Sequence, residues 1–253
     1  MTFEKLGSRG LDYLHCRYGA SRVLFRGPRR RLDGPYAAFL GGTETYGRFL
    51  EKPYPALAEA GSGLTCVNLG CVNAGLDVYL NEPGLIEIAA GARVTVLQAV
   101  GAQNVSNRFY SVHPRRNDRF LAASRQLRSL YPEVDFTEVN FTRHLLTRLR
   151  DTSPDRFVRV RAELQQAWLG RMRLVLRRIG GPVILLWLSA RCPEEPCGDL
   201  SAGADPLFVD RPMLEALRPE VAGLVELVAT PGEIAAGRED LRATEMERPA
   251  AEE

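Results

Sequence analysis

The chain has 253 residues, of which 45% are hydrophobic and 25% are charged, and its net charge is +2. This composition is that of a globular protein with one large domain or two small ones, and the near-neutral balance disfavours bulk nucleic-acid binding. No apolar run approaches the roughly 20 residues that a membrane-spanning helix needs, and the first residues lack a signal-peptide pattern, so we expect a soluble, cytoplasmic protein.

Residues 1–35 are polar and basic, with turn signals at Gly27-Pro28 and Gly34-Pro35, and they predict an N-terminal extension packed on the main domain. Short apolar runs then predict strands at residues 36–40, 64–69 and 93–100. Helical patterns lie between these strands, at residues 46–60 and 75–90. Prolines inside both patterns predict that both helices are kinked or broken.

A polar loop at residues 102–117 leads into a mostly helical region. Helices are predicted at residues 118–130, 141–150 and 154–179, and the stripe around Trp168 in the last of these is typical of core. A strand at 182–188, a short helix at 212–217 and a strand at 221–229 complete the pattern. The tail, residues 231–253, is expected to be partly disordered.

Strands that alternate with helices predict an α/β fold with a three-layer, doubly wound, mostly parallel sheet of five strands, like that of flavodoxin. The helical insert, residues 117–180, falls between the third and fourth strands. We expect one main domain over residues 36–230, and the sequence leaves the oligomeric state open.

Five cysteines at irregular spacing do not indicate a disulfide framework. Cys66 and Cys71 flank a predicted strand end and are expected to be small core residues. Cys192 and Cys197 could close a loop, but no second pair completes a zinc site. We therefore expect no metal and no other cofactor.

The loops after the first three strands carry glycines together with hydroxyl, amide or acid groups. They are Gly41-Gly42-Thr43-Glu44-Thr45, the residues 70–75 and the residues 101–107. In a parallel sheet these loops meet at one edge, so they predict an anion or oxyanion pocket there. Thr43 could instead only cap a helix, and Asn73 and Asn104 could only satisfy loop backbone groups.

The segment Gly41–Gly47 resembles the first conserved block of the SGNH/GDSL hydrolases, Gly-Asp-Ser-x-Thr-x-Gly. Gly41, Thr45 and Gly47 match that block, Thr43 stands at the position of the serine nucleophile, and Gly42 replaces the aspartate. The resemblance implies a hydrolase or acyltransferase that acts on an ester or acyl group of a carbohydrate or lipid.

Two further segments resemble the second and third blocks of the same family. Residues 68–75 resemble the block whose glycine N–H lines the oxyanion hole, which implies this role for Gly75. Residues 101–104 resemble Gly-x-Asn-Asp, which implies an oxyanion donor at Gln103, with Asn104 beside it.

The fourth block of that family, Asp-x-x-His, has no match, because no histidine follows His144. Thr43 needs a base within hydrogen-bond reach, and His113 is the first candidate because it lies in the loop after the third strand. Glu44 is the second candidate, provided that burial raises its pKa.

Over most of residues 1–230, the chain as a whole is also similar to DUF6473, a family of uncharacterised proteins common in alphaproteobacteria. The similarity rests on Leu11-Asp12-Tyr13, on Gly41–Gly47, on residues 67–75 and on residues 101–104 and 113–118. This resemblance implies no function.

Three functions remain open from the sequence. The first is the hydrolase or acyltransferase with Thr43 as nucleophile. The second is a catalytically degenerate module that binds an anionic or sugar ligand. The third is a transferase that holds a phosphate or nucleotide at the first turn, although the Walker ending and the dinucleotide glycine spacing are absent. The predicted ligand-binding residues are Gly42, Glu44, Asn73, Asn107, Arg115 and Arg116.

Overall fold

The computed structural model describes residues 11–195, 200, 205–230 and 232–233. Within them lie seven strands: β1 (Tyr36–Leu40), β2 (Thr65–Asn68), β3 (Val94–Gln98), β4 (Tyr110–Val112), β5 (Phe120–Ala123), β6 (Val183–Ser189) and β7 (Gly223–Val228). Cys197 and most of the predicted tail lie outside the described residues.

Five of these strands form one sheet in the order β2-β1-β3-β6-β7, and every neighbouring pair is parallel. This is the predicted α/β fold with a five-stranded sheet, and its order is that of flavodoxin-like sheets. Because the chain runs from β1 to β2 and then returns to the other side of β1, the connections change direction at β1.

The α-helices are α1 (Thr43–Tyr46), α2 (Tyr54–Ser62), α3 (Asp77–Asn81), α4 (Leu85–Ala90), α5 (Arg125–Leu130), α6 (Thr142–Thr152), α7 (Pro154–Ile179) and α8 (Arg211–Glu215). The predicted breaks in the first two helical patterns are confirmed. The first pattern is divided between α1 and α2, with a proline in the first turn of α2, and the second between α3 and α4. Among the described residues, no helix is both long and apolar enough to cross a membrane.

Alternation along β1 explains how helices cover both faces of the sheet. Ala38 and Leu40 pack into the large core that includes α4 and α7, whereas Phe39 points to the opposite face and packs with Tyr54 of α2. Cys66 and Cys71 are buried, as expected, and burial raises the pKa of the Cys71 thiol to about 12.

The predicted helix at residues 118–130 is wrong in its first half. Phe120–Ala123 forms β5, which pairs antiparallel with β4, so the predicted loop before it also contains a strand. The helical part begins only at Arg125, because the Ser124 hydroxyl accepts the Leu127 N–H and caps α5. The four residues Phe120–Ala123 are too few to separate a strand period from a helical one.

The two edges of the main sheet differ in exposure. Three of the four residues of β2 are buried, whereas β7 exposes apolar side chains, with Val225 at 42% and Leu227 at 52% of their full exposure. The other side of β7 carries Glu226, which pairs with Arg211 of α8.

Candidate functional site

A cavity of about 930 Å³ opens where the carboxyl ends of β1 and β3 meet. In open α/β sheets, ligands bind at this point of reversal. The wall consists of residues 42–44, 47–50, 54, 73–74, 98–101, 103–104, 118, 141–143, 188–190, 205–206 and 229. Six of the residues predicted for the site lie on it, namely Gly42, Thr43, Glu44, Asn73, Gln103 and Asn104.

Gln98, the last residue of β3, holds the turn after β1 in place. Its Oε1 accepts the Gly42 N–H at 2.9 Å and the Thr45 hydroxyl at 2.6 Å. Its Nε2 donates to the Glu44 carboxylate at 2.8 Å. The Gly42 N–H is therefore engaged within the protein, and Glu44 is oriented by an amide. The sequence signal for Gln98, a polar residue that ends an apolar strand, was missed.

Thr43 belongs to a hydrogen-bonded chain that ends at a carboxylate. Its Oγ1 donates to Asn73 Oδ1 at 3.4 Å and accepts the Asn73 backbone N–H at 3.1 Å. Asn73 Nδ2 in turn donates to Asp118 Oδ2 at 3.2 Å. The alternative that Thr43 caps a helix is wrong, because Gly42 is the N-cap residue of α1 and no side chain caps it. Asp118 was not predicted as a site residue.

Gln103 and Asn104 lie in a single 3-10 turn, Ala102–Asn104, directly after β3. Both ends of the Asn104 amide are bonded within the protein, because its Nδ2 donates to the Asn73 carbonyl at 3.2 Å and its Oδ1 accepts the Thr142 hydroxyl at 2.7 Å. Gln103 Nε2 makes one long hydrogen bond of 3.4 Å to Asp205. Its buried Oε1 accepts no hydrogen bond from the described residues.

Gly75 and Asn107 are away from the cavity wall. The Gly75 N–H donates to Asn117 Oδ1 at 2.9 Å, so it is not a free oxyanion donor as the resemblance implied. Asn107 Oδ1 accepts the N–H groups of Phe109 and Tyr110, which makes it a turn residue. The predicted roles of both residues are not supported by these contacts.

His113 also stabilises a local turn. Its Nδ1 accepts the backbone N–H groups of Arg115 at 3.2 Å and Arg116 at 3.1 Å. A neutral ring in this arrangement carries its proton on Nε2, so it has no second lone pair with which to take a proton. None of the three histidines lines the cavity, and the predicted role of His113 as base is not supported by this geometry.

Arg115 and Arg116 do not line the cavity either. Arg115 lies 3.6 Å from the carboxylate of buried Glu82, which also accepts the Ser21 hydroxyl, and Arg116 is exposed. The predicted pairing of these arginines with a ligand in this cavity is therefore not supported.

Two other arginines, Arg48 and Arg143, line the wall. Arg143 of α6 forms an ion pair with Asp205, and Ser189 at the end of β6 donates its hydroxyl to the Asp205 carbonyl at 2.7 Å. Arg48 lies over the ring of Phe49, 4.6 Å from its centroid. These residues come from segments far apart in the chain, so the sequence carried no signal that brings them together.

Comparison with known proteins assigns the chain to a family. The profile of DUF6473, described as a domain of unknown function, matches residues 1–253. The chain belongs to the DUF6473 family. No curated protein matches it. Among solved structures, the lipase Lip_vut3 from a goat rumen metagenome is similar at 14% identity, with a TM-score of 0.38, over 84% of this chain and 96% of the lipase chain.

On the cavity wall of this DUF6473 protein, the hydroxyl at the predicted nucleophile position contacts an amide side chain. The Thr43 proton is donated to an amide oxygen, which is too weak a base to remove it. In the described part of the chain, no group of three or more His, Cys, Asp or Glu side chains could hold a metal ion. The wall carries carboxylates, amides, aromatic rings and two guanidinium groups, one of which lies over a ring.

Proposed function

We propose that this protein binds a small polyhydroxyl ligand of the carbohydrate class in the cavity and does not hydrolyse it through Thr43. The observation that carries the proposal is the contact between the Thr43 hydroxyl and the Asn73 side-chain oxygen. An alcohol becomes a nucleophile when a base takes its proton, and the partner of Thr43 is an amide.

The composition of the wall favours a ligand rich in hydroxyl groups. Glu44, Asp118 and Asp205 supply carboxylate oxygens, which accept hydrogen bonds from hydroxyls and repel anions. Tyr54 and Phe141 supply flat apolar surface for a ring. A cavity of about 930 Å³ also has the size of a small-molecule site.

The test compares binding with turnover in wild type and Thr43→Ala. We expect neutral mono- and disaccharides to raise the Tm of both proteins, because a ligand that binds only the folded state stabilises it. We expect neither protein to hydrolyse a panel of short acyl esters. Turnover by wild type that is lost in Thr43→Ala, at unchanged Tm, would replace this proposal with the hydrolase.

That hydrolase or acyltransferase is the second candidate, and one observation favours it. Glu44 follows Thr43 on the same wall, and its carboxylate is held by Gln98. This carboxylate would therefore serve as the general base. In this case Glu44→Gln would abolish ester turnover as Thr43→Ala does. The phosphate transferase is disfavoured, because the Gly42 N–H that a phosphate would need is bonded to Gln98.

A further inference from the structure

The cavity extends across the carboxyl ends of the whole main sheet. Its wall takes one or more residues from the segment after each strand: Asn73 after β2, Thr43 after β1, Val100 after β3, Ala190 after β6 and Ala229 after β7. Neighbouring strands lie about 4.8 Å apart, so the distance from β1 across β3 and β6 to β7 is about 14 Å. A single sugar ring is only about as wide as one strand spacing. A ligand held at β1 therefore reaches the β7 end only if it continues beyond one ring.

The β1 end of the cavity is polar. The hydrogen-bonded chain from Thr43 through Asn73 to Asp118 lies on its wall. Glu44, bonded to Gln98, follows Thr43 directly in the chain. Because these side chains are bonded to one another or adjacent in sequence, they lie together at one end of the cavity. This is the end that the hydroxyl groups of the proposed ligand would contact.

The β7 end of the cavity carries apolar side chains. Leu188 and Ala190 lie at the end of β6, Ala229 follows β7, and all three line the cavity. The two strands are held together at this point, since the Ala229 N–H donates to the Ser189 carbonyl at 2.9 Å. Pro206 lines the same end, because the Ser189 hydroxyl donates to the carbonyl of the residue before it. These apolar groups therefore converge, as the polar groups do at β1.

The polar side chains at the β7 end are bonded within the protein. The Ser189 hydroxyl donates to the Asp205 carbonyl at 2.7 Å and accepts the Arg191 N–H at 3.0 Å. The Asp205 carboxylate forms an ion pair with Arg143 and accepts Gln103 Nε2 at 3.4 Å. A ligand that needed these groups would have to break their bonds, whereas an apolar group can lie on the leucine, alanine and proline surface without such a loss.

We infer that the ligand is a sugar that carries an alkyl chain, with the sugar at the β1 end and the chain across the ends of β6 and β7. An extended alkyl chain advances roughly 1.2 Å per bond, as an extended backbone does, so eight carbons cover about 9 Å, or two strand spacings. Burial of the chain removes its apolar surface from water. The inference rests on the binding function proposed above and narrows the ligand to alkyl glycosides and sugars of similar design.

The experiment varies the chain and keeps the sugar. Methyl, butyl, hexyl and octyl β-glucosides and β-galactosides are titrated into the full chain by calorimetry, below the concentrations at which they form micelles. We expect the octyl glycoside to bind at least about 50-fold more tightly than the methyl glycoside, because each fully buried CH₂ group raises affinity up to about fourfold. Octyl tetraethylene glycol ether, which has the same chain and no sugar, should bind at least about tenfold more weakly than the octyl glycoside.

Variants then assign the chain to the β7 end. Ala229→Asp should reduce the gain from methyl to octyl glycoside to less than about fivefold, because a chain lying there would take water from the new carboxylate. Ala222→Asp is the matched control and should keep the full gain, since Ala222 is exposed at the opposite end of β7 and does not line the cavity. Ala190→Asp repeats the test at an exposed residue after β6. Melting curves show whether each variant folds.

The two proposals fail in different ways. If methyl and octyl glycosides bind equally, the alkyl chain is overturned and the binding function stands. If Ala229→Asp and Ala190→Asp both keep the full gain, the placement of the chain at the β7 end is overturned. If the octyl ether binds as tightly as the octyl glycoside, the sugar adds nothing, and the proposed function fails while the apolar end stands. If no glycoside binds, both proposals fail.

Discussion

Gly75 brings the loops that follow β2 and β3 into backbone contact. A Cβ at this position would lie 1.8 Å from the Asn104 carbonyl oxygen, which is far closer than two non-bonded atoms can approach. Because that oxygen belongs to the backbone, it cannot rotate away as a flexible side chain would. The glycine thus serves the packing of the two loops that carry Asn73 and Asn104.

We expect Gly75→Ala to lower the free energy of unfolding by about 1 to 3 kcal/mol, the usual cost of overpacking. The loops must separate, so ligand binding should weaken as well. Urea denaturation measures the change in stability.

Gly170→Ala is the matched control for Gly75→Ala. Gly170 is exposed in the middle of α7, and nothing lies within 4 Å of the added Cβ. Removal of a glycine from a helix should stabilise the protein by about 0.5 to 1 kcal/mol. If the two variants changed the free energy of unfolding equally, close contact between the loops would not be the reason why position 75 requires glycine.

The sequence located several wall residues because strand ends in a parallel sheet meet at one edge. It did not show which way side chains point, and therefore it selected His113, whose ring faces its own turn. It also missed Asp118 and Gln98, since their importance comes from partners 45 and 54 residues away, Asn73 and Glu44.

At the level of elements, the segment before β1 shapes one wall of the cavity. The buried guanidinium of Arg26 donates to the carbonyls of Gly47, Leu50 and Glu51, with distances of 2.5 Å and 2.7 Å to the last two. The Tyr13 hydroxyl accepts the N–H of Phe49, a residue with a φ of 69°. The N-terminal segment therefore holds the loop between α1 and α2 in a conformation that a non-glycine residue seldom adopts.

We expect Arg26→Gln to destabilise the protein by about 1 to 3 kcal/mol, because it leaves three loop carbonyls without the buried guanidinium that donates to them. Residues 47–51 should also exchange their amide hydrogens faster, and sugar binding should weaken. Hydrogen exchange measured by mass spectrometry and the calorimetric titration check both effects.

Arg17→Gln is the control for this element, because Arg17 is an exposed arginine of the same segment. It should change stability by no more than about 0.5 kcal/mol. Unchanged exchange at residues 47–51 in Arg26→Gln would show that the loop holds its shape without the guanidinium.

Elements with a long repeated pattern were predictable, and short ones were not. Trp168 lies in a helix of 26 residues whose apolar stripe repeats many times, so α7 was predicted with its bounds. β4 and β5 have three and four residues, and their pairing connects positions that no local pattern links.

At the scale of the whole molecule, one hydrogen bond connects the helical insert to the sheet beside the cavity. Trp168 of α7 is fully buried, and its Nε1 donates to the Val100 carbonyl at 2.7 Å. Val100 lines the cavity just beyond β3. The long helix therefore supports the wall from behind.

We expect Trp168→Phe to lower the free energy of unfolding by about 1 to 3 kcal/mol, because the Val100 carbonyl loses its donor and the smaller ring packs less well. Denaturation in urea measures the loss. Val158→Ala, at a position of α7 that is 66% exposed, should stay within about 0.5 kcal/mol of wild type. Equal stability of Trp168→Phe and wild type would show that the hydrogen bond from Trp168 to Val100 does not stabilise the wall.

The unequal edges of the sheet limit how copies of this chain can join. Among the described residues, no strand pairs with the outer edge of β7, whose apolar side chains are exposed, whereas on β2 the Cys66 N–H is already bonded to the Glu59 side chain. Joining through β7 would use the same edge of both partners at once. Such a contact closes after two copies with two-fold symmetry, whereas a fibre would need an open edge on each side of every molecule.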